Sequence, residues 1–408
     1  MPVYPRSTHL KIPMIYSSLL GIFPVDLMFE GYPFFRKIYA RYSIIMIIYY
    51  AFFVVTAYMK LYELVRDPDP RLDEISRNLC ITLIYTITVV RQVIMKTDQG
   101  IRNIIKKIIA NEEYIQGSDD KKIKQIFNDC ANDTTSKCKT YLIILFIITM
   151  LYIVRPLFVE GYIKVADNST AVIKSLPLSS WFPFDEQIFY LAAYIWHIFD
   201  SLIGASFVTY TDILMFSIIV YPTGQLRILR HVVRNFESYK QRIKRYYNIG
   251  TDEEAAIVTF RECIFKHKDV ISYVDNFNST MSTLMVFDFL LSSLQIATIL
   301  TQILGNEVTL ILVLFVGAYF VGMILRLVLY YYYANDVVLL SADLSVSLWQ
   351  SNWYEQSPQV KFMMMIFMMR CQKSLKLFIG PFSVMSLDSL ISILKATYSY
   401  IMLMYGVN

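Results

Sequence analysis

Long apolar stretches separated by polar ones organise this chain. Seven runs reach or approach the ~20 mostly apolar residues that a helix needs to cross a bilayer: Tyr42–Met59, Leu79–Met95, Tyr141–Val159, Gln187–Val220, Met281–Leu304, Val308–Tyr333 and Ser386–Tyr405. The fourth run is 34 residues long and is broken only by Gly204. It contains no Pro and no Asn-Gly pair, so the pattern predicts one long helix rather than a hairpin of two. No cleavable signal peptide is read in the first 41 residues, and the first span is expected to act as its own targeting signal.

The polar segments keep a helical period of their own. In residues 224–247, Leu226, Leu229, Val233, Phe236 and Ile243 recur at three- to four-residue steps, which predicts a continuation of the fourth span beyond the membrane. Residues 252–276 open with Thr251-Asp-Glu-Glu, a helix start with acids at the positive dipole end, and run towards the fifth span. Residues 358–378 begin at Pro358 and carry the apolar run Phe362–Met369, too short to span and too apolar to face water. Three such helices would form a compact bundle at one face of the membrane.

Charge then orients the spans. Lys and Arg number 28 in residues 1–41, 96–140, 221–280 and 334–385, against 6 in the loops 60–78, 160–186 and 305–307. Basic residues favour cytoplasmic loops, so the N-terminus is expected in the cytoplasm and, after seven spans, the C-terminus outside. Splitting the fourth run would put the most basic loop outside. The same orientation is opposite to that of G-protein-coupled receptors, whose Asp-Arg-Tyr and Asn-Pro-x-x-Tyr signatures are also missing. Composition agrees: 56% of the 408 residues are hydrophobic and 17% charged, where soluble chains carry about 25% charged residues. The expected fold is therefore an all-α polytopic membrane protein with a cytoplasmic helical anchor. The expected division is 1–41 (N-terminal segment), 42–220 (spans one to four), 221–280 (anchor extension), 281–333 (spans five and six), 334–385 (anchor) and 386–408 (last span).

Catalytic chemistry is sparse. His9, His197, His231 and His267 are not paired at metal-ligand spacing, and no nucleotide-binding loop or nucleophile elbow is read. No catalytic residue, metal site, cofactor or nucleic-acid partner is expected. Four cysteines fall in the loops assigned to the cytoplasm, with Cys80 near the outer end of the second span, and all five read as structural thiols. Of the Asn-x-Ser/Thr sites at Asn132, Asn168 and Asn278, only Asn168 falls in an extracellular loop, so it is the one expected glycosylation acceptor. Arg91, Asp200, Asp212, Asp288 and Arg326 lie inside spans, mostly near their inner ends, where snorkelling or pairing is expected in place of a mid-membrane relay.

The last span differs from the others. It holds Ser386, Asp388, Ser389, Ser392, Lys395, Thr397 and Ser399. So many polar groups suit a helix with one wet face that lines a pore with other subunits, or a bundle helix whose hydroxyls bond back to its carbonyls. The extracellular loops are too short for a ligand-binding domain, so a ligand from outside must bind between helices.

Residues Gly380–Tyr400 (GPFSVMSLDSLISILKATYSY) resemble the C-terminal signature of insect odorant receptors, and Leu176–Asp185 (LPLSSWFPFD) is similar to that family's second recurrent segment. The resemblance implies an olfactory receptor in the plasma membrane: a ligand-gated, nonselective cation channel of four subunits, with no G protein required for gating. Residues 358–378 would be the inner part of a split seventh helix. Leu403, Gly406 and Val407 fall where the family's outer gate lies. Gly406 departs from the glutamine common in the shared co-receptor, and the co-receptor's long cytoplasmic insertion is missing, so the chain looks like a ligand-tuning subunit that partners a co-receptor. The implied pocket for a volatile apolar ligand lies between the outer halves of the second, third, fourth and sixth spans. Projected by helical spacing, it takes Thr82, Tyr85 and Thr86; Ile147, Met150 and Val154; Tyr190, Tyr194, His197 and Ile198; and Leu312, Phe315 and Tyr319. A gustatory receptor of the same superfamily and a secondary transporter are the alternative readings. The former usually ends in a Thr-Tyr…Gln-Phe motif, where this chain has Ser399-Tyr400 and no Gln.

Overall fold

The computed structural model describes residues 6–29, 31–67, 72–158, 162–166, 169–304 and 309–405. Its helices, in chain order, are α1 (Lys11–Leu19), α2 (Pro33–Arg66), α3 (Leu72–Thr97), α4 (Gln99–Gly117), α5 (Lys121–Val154), α6 (Tyr190–Arg234), α7 (Phe236–Tyr246), α8 (Asp252–Leu304), α9 (Leu310–Trp349), α10 (Pro358–Cys371) and α11 (Leu387–Tyr405). Two short antiparallel hairpins join them: β1 (Tyr162–Ala166) with β2 (Ser169–Ile173), and β3 (Phe378–Ile379) with β4 (Ser383–Val384).

Among the described residues, six helices are long and apolar enough to cross a membrane: α2, α3, α5, α6, α8 and α9. The seventh expected span is α11, 19 residues that include Asp388 and Lys395. Local chemistry sets the helix starts. Asp98 and Asp120 cap α4 and α5, and Thr309 and Ser357 cap α9 and α10, each side chain accepting from an amide of the first turn. Pro33 and Pro358 occupy first-turn positions, where a missing N–H costs nothing.

The apolar segment of α6 is 78% buried, against 28% for that of α2, so α6 is the central post and α2 lies at the rim. At 45 residues α6 is about 68 Å long, roughly twice the hydrocarbon thickness of a bilayer. It runs straight through Pro222. A proline there leaves the carbonyl of Ile218 without its helical donor. The hydroxyl of Tyr273, from α8, supplies the replacement at 2.8 Å.

The fourth, fifth and sixth apolar runs all continue past their expected ends. The boundaries drawn at 220, 280 and 333 fall inside α6, α8 and α9, because nothing interrupts these helices where the apolar run stops. The long helices gather with α4, α7 and α10 into the basic end of the molecule. There Arg227 and Arg230 of α6 pair with Asp336 and Asp343 of α9 at 3.1 and 3.0 Å, and Arg242 reaches Asp120 at 2.5 Å. Burial raises the Asp120 carboxyl, but the Ile123 and Lys122 amides and the Arg242 charge outweigh it and hold the group below its ordinary value.

Several expectations are corrected here. The segment 224–247 is not one helix: α6 ends at Arg234 and α7 restarts after Asn235. The segment 358–378 is helical only to Cys371 and then becomes extended. Within the N-terminal segment, α1 packs against α6 and α5, with Leu10, Met14, Ile22 and Phe23 buried. Glu112 of α4 holds its start, accepting from Ser7 at 2.6 Å and from the Thr8 and His9 amides. The Met-rich run is two-faced: Val360, Met364, Phe367 and Cys371 are buried, while Phe362, Met365, Ile366 and Met369 are exposed. Burial pushes the Cys371 thiol up to about 12, as suits an inert packing thiol.

Gly380 explains the glycine of the C-terminal stretch. It adopts φ +55°, and a Cβ there would lie 2.3 Å from Cγ2 of Val286. Its amide donates to the Ser282 carbonyl at 3.0 Å, while the Asn278 amide group brackets the Lys376 carbonyl and the Phe378 N–H at 2.9 Å each. The start of α11 is thereby fastened to α8.

Tyr273→Phe should remove the substitute donor for Ile218 and cost about 1–3 kcal/mol, the penalty of an unsatisfied buried carbonyl. A lower melting temperature of the detergent-solubilised protein would report it. Adding Pro222→Ala, which restores the helical N–H, should recover most of the loss; no recovery would place Tyr273's contribution elsewhere.

Candidate functional site

Four helices and one loop enclose a cavity of ≈ 80 Å³ in the half of the bundle away from the basic end. α3 contributes Ile81, Ile84 and Tyr85. α5 contributes Leu145, Ile148, Thr149 and Tyr152, and α6 contributes Ser201, Ala205 and Val208. α9 adds Tyr319, and Leu178 closes the roof. On each helix these positions recur at three- and four-residue steps, so each presents a single face. The walls are aliphatic and phenolic, and no charged side chain lines them.

The roof belongs to the stretch Leu176–Asp185. The Trp181 amide donates to the Thr56 carbonyl at 3.0 Å, and Asn78 donates to the Ser179 carbonyl at 2.9 Å. Ser180 meets Nε2 of His197 at 2.7 Å. These bonds tie the loop to α2, α3 and α6.

Of the residues projected from the sequence, the cavity brings Tyr85 and Tyr319 together. Thr82 and Thr86 turn to another face of α3, where Thr82 donates to the Asn78 carbonyl and Thr86 meets the Tyr58 hydroxyl at 2.9 Å. On α5, Ile147 and Val154 are exposed and Met150 is half-buried, on faces turned from the cavity. On α6, Tyr190, Tyr194, His197 and Ile198 precede the lining positions. Tyr190 donates to the Ser175 carbonyl, Tyr194 to the Ile153 carbonyl, and the His197 ring lies tilted against Phe182 at 5.1 Å between centroids. Phe315 and Leu312 lie one and two turns before Tyr319 on α9. Sequence reasoning missed Tyr152 and Ser201, whose polar atoms in apolar surroundings were the available signal. Leu403 lies in the last turns of α11, while Asn168, Gly406 and Val407 fall outside the described residues.

Two helical turns from the cavity lies a second feature. Of the two fates expected for Arg91, Asp212, Asp288 and Arg326, snorkelling or pairing, the structure shows pairing, with all four buried together. Arg91 pairs with Asp212 at 2.5 Å and with Asp288, and Arg326 approaches Asp288 at 3.3 Å and Asp212 at 3.9 Å. Tyr141 and Tyr330 donate to Asp212 at 2.7 and 3.0 Å, and Arg326 donates to Ser292 at 2.6 Å. The quartet is neutral as a whole and joins α3, α6, α8 and α9, with Tyr141 adding α5. Three members follow a cavity position by seven residues along their helices, Ile84 to Arg91, Ala205 to Asp212 and Tyr319 to Arg326, and Tyr141 does so from Ile148 with α5 running the other way. Seven residues rise about 10 Å, so the quartet underlies the cavity as its floor. Asp200 stands apart and accepts from Tyr49 at 2.6 Å.

α11 presents a third feature. Ser389, Ile393 and Thr397 are buried, and Thr397 donates to the Ser293 carbonyl of α8 at 3.2 Å. On its outward side, Asp388, Ser392, Lys395 and Ser399 form an exposed polar stripe at helical spacing, beside an apolar stripe of Leu387, Ile391, Leu394, Tyr398 and Met402. Ser392 and Ser399 bond back to carbonyls four residues earlier. No group of His, Cys, Asp and Glu among the described residues could hold a metal ion.

Comparison with known proteins points one way. Residues 71–398 match the family profile described as 7tm Odorant receptor. Odorant receptor 30a of Drosophila melanogaster is 23% identical over 343 residues, covering 82% of this chain and 83% of that protein. Odorant receptor 10 of Aedes albopictus is 25% identical over 178 residues, 43% of this chain and 45% of that protein. The olfactory receptor OR5 of Machilis hrabei in complex with eugenol superposes with a TM-score of 0.75 at 16% identity, over 98% of both chains. A second structure of the same receptor gives a TM-score of 0.73 over the same share. That likeness shows the fold.

The quartet sets a stability expectation. Arg91→Met leaves two buried aspartates short of positive charge and should cost about 3–5 kcal/mol, read as lost thermal stability and surface expression. Arg91→Met combined with Asp288→Leu removes a whole pair and should regain much of that loss. A double variant as unstable as the single one would contradict a charge-pairing role.

Proposed function

The chain belongs to the 7tm odorant receptor family, and from that membership we propose that it is the ligand-tuning subunit of an odorant-gated, nonselective cation channel. The family is one of receptors rather than enzymes. In this reading the chain sits in the plasma membrane with its basic end in the cytoplasm, as the basic-residue bias favours. Four subunits, this chain with a co-receptor, surround a central pore. A volatile, largely apolar ligand binds between α3, α5, α6 and α9, and no G protein intervenes.

The observation that carries the channel reading is the polar stripe of α11. Asp388, Ser392, Lys395 and Ser399 are exposed on one side of a membrane helix, and hydrocarbon does not solvate such groups. Water does, in a pore that several copies of the helix share. The neighbouring apolar stripe would then face an adjacent subunit, and the exposed Phe362, Met365, Ile366 and Met369 of α10 would pack at the basic end of the same assembly. Leu403 keeps the apolar character that a dewetting gate needs, with Gly406 and Val407 beside it. Residues 221–280 and 334–385 serve as the anchor that holds the subunits together.

The uncharged cavity supports the ligand side of the proposal. Apolar burial contributes roughly 25 cal/mol per Å², and phenol rings from α3, α5 and α9 give shape. That a similar receptor is described in complex with eugenol is in keeping with this chemistry.

In cells expressing this chain with a co-receptor subunit, a volatile ligand from a broad panel should evoke a cation current. Silence to the whole panel, with the chain present at the cell surface, would contradict the reading. Leu403→Ser should raise the basal current, while an unaltered ratio of basal to evoked current would remove Leu403 from the gate.

A further inference from the structure

Resting on the reading of the cavity as the odorant site, we propose that its ligands are neutral, oxygen-bearing volatiles, held by a hydrogen bond to the Ser201 hydroxyl, with their size limited by Tyr85 where it rests on Gly204.

Ser201 is 3% exposed, lines the cavity, and its Oγ has no hydrogen-bond partner. This is unusual for a helical serine, which ordinarily bonds back to the carbonyl four residues earlier. Thr149, also in the wall, does so, donating to the Leu145 carbonyl at 2.8 Å. The Tyr319 hydroxyl in the same wall is engaged by Gln295. Ser201 therefore stands in the cavity wall with its donor and acceptor capacity unspent. A buried, unsatisfied hydroxyl is costly, and a ligand oxygen that meets it relieves that cost on binding. A hydrocarbon of the same shape leaves the cost in place.

Charge is excluded on the same grounds. The walls carry no ionic group that would pair with a charged ligand, and burying an unpaired charge is prohibitive. The ionic groups around it are already engaged: Arg155 lies 6.0 Å from the Tyr152 ring, Asp200 accepts from Tyr49 at 2.6 Å, and the quartet's arginines and aspartates neutralise one another.

Gly204 sets the size limit. A Cβ at this position would lie 2.6 Å from the Tyr85 hydroxyl oxygen and 2.7 Å from its Cζ, so only glycine lets the phenol lie on α6. Tyr50 and Phe53 pack on the same ring, at 5.5 and 5.4 Å between centroids. A methyl group at 204 therefore displaces Tyr85, with Tyr50 and Phe53 already on its ring, into the cavity it lines.

The test compares a graded series of methyl ketones with their alkene isosteres, in which =CH2 replaces the carbonyl oxygen; acetophenone and α-methylstyrene are one such pair. Currents are recorded from cells expressing the chain with a co-receptor, and thermal stabilisation of the purified chain is measured in parallel. Ketones should act at lower concentration than their isosteres. Ser201→Ala should raise the half-maximal ketone concentration about tenfold and leave the alkene response unchanged, while Ser201→Thr keeps the ketone preference. Gly204→Ala should silence the larger ketones and spare the smaller. Alkenes as potent as ketones, with both silenced by Gly204→Ala, would overturn the ligand class and leave the cavity as the site. Ketone responses indifferent to both Ser201→Ala and Gly204→Ala would overturn the cavity reading itself. Ketone stabilisation without current would uphold the ligand class and contradict the channel reading. Neither stabilisation nor current from any member of either series would overturn the proposal.

Discussion

Two arginines and two aspartates, buried together between four membrane helices, fix how this molecule is put together. An isolated charge at that depth would cost several kcal/mol. Arg91, Asp212, Asp288 and Arg326 meet that cost jointly, and they can do so only when α3, α6, α8 and α9 stand in one register. Registers shifted by one residue turn the charges away from each other, so the quartet selects a single arrangement as well as tolerating it. Tyr141 of α5 completes the acceptor demand of Asp212 and brings in the fifth helix. With those helices in register, the faces two turns away enclose the cavity.

α8 connects the parts that the quartet aligns. Along its length, Asn278 and Ser282 hold the turn before α11, Asp288 joins the quartet, Ser293 accepts from Thr397 of α11, and Gln295 holds the cavity tyrosine Tyr319. One continuous helix thus links the cavity residue Tyr319 to α11. A ligand can bias that element only by binding its two arrangements unequally. The Ser201 hydroxyl and the Tyr85–Gly204 contact are where the cavity's chemistry would create such a difference.

The spans were legible in the sequence because solvation by lipid acts on each helix alone: a long apolar run is sufficient. Partner-dependent features were not. The helical period after Pro222 announced that α6 continues, but not how the proline is tolerated, since the compensating hydroxyl belongs to Tyr273 on another helix. The quartet was hidden for the same reason; Arg91 and its two aspartates are 121 and 197 residues apart. α1 has too short an apolar pattern to announce its docking on Glu112 and α6. Helical spacing alone gives the period of a binding face but not its phase, so Tyr85 and Tyr319 were found while Thr82 and Ile147 sit on other faces. Gly380 was readable, because a positive φ and a close backbone approach are demands that one residue type meets.

The account rests on a ligand seated in the cavity beneath Leu178 and above the quartet. Its most direct test is a structure of this chain assembled with the proposed co-receptor and an activating ligand, determined at a resolution that shows ligand density. The account predicts density bounded by Tyr85, Tyr152, Ser201 and Tyr319, with a polar atom of the ligand at hydrogen-bond distance from the Ser201 hydroxyl. Density elsewhere in the assembly, with this cavity empty, would contradict it.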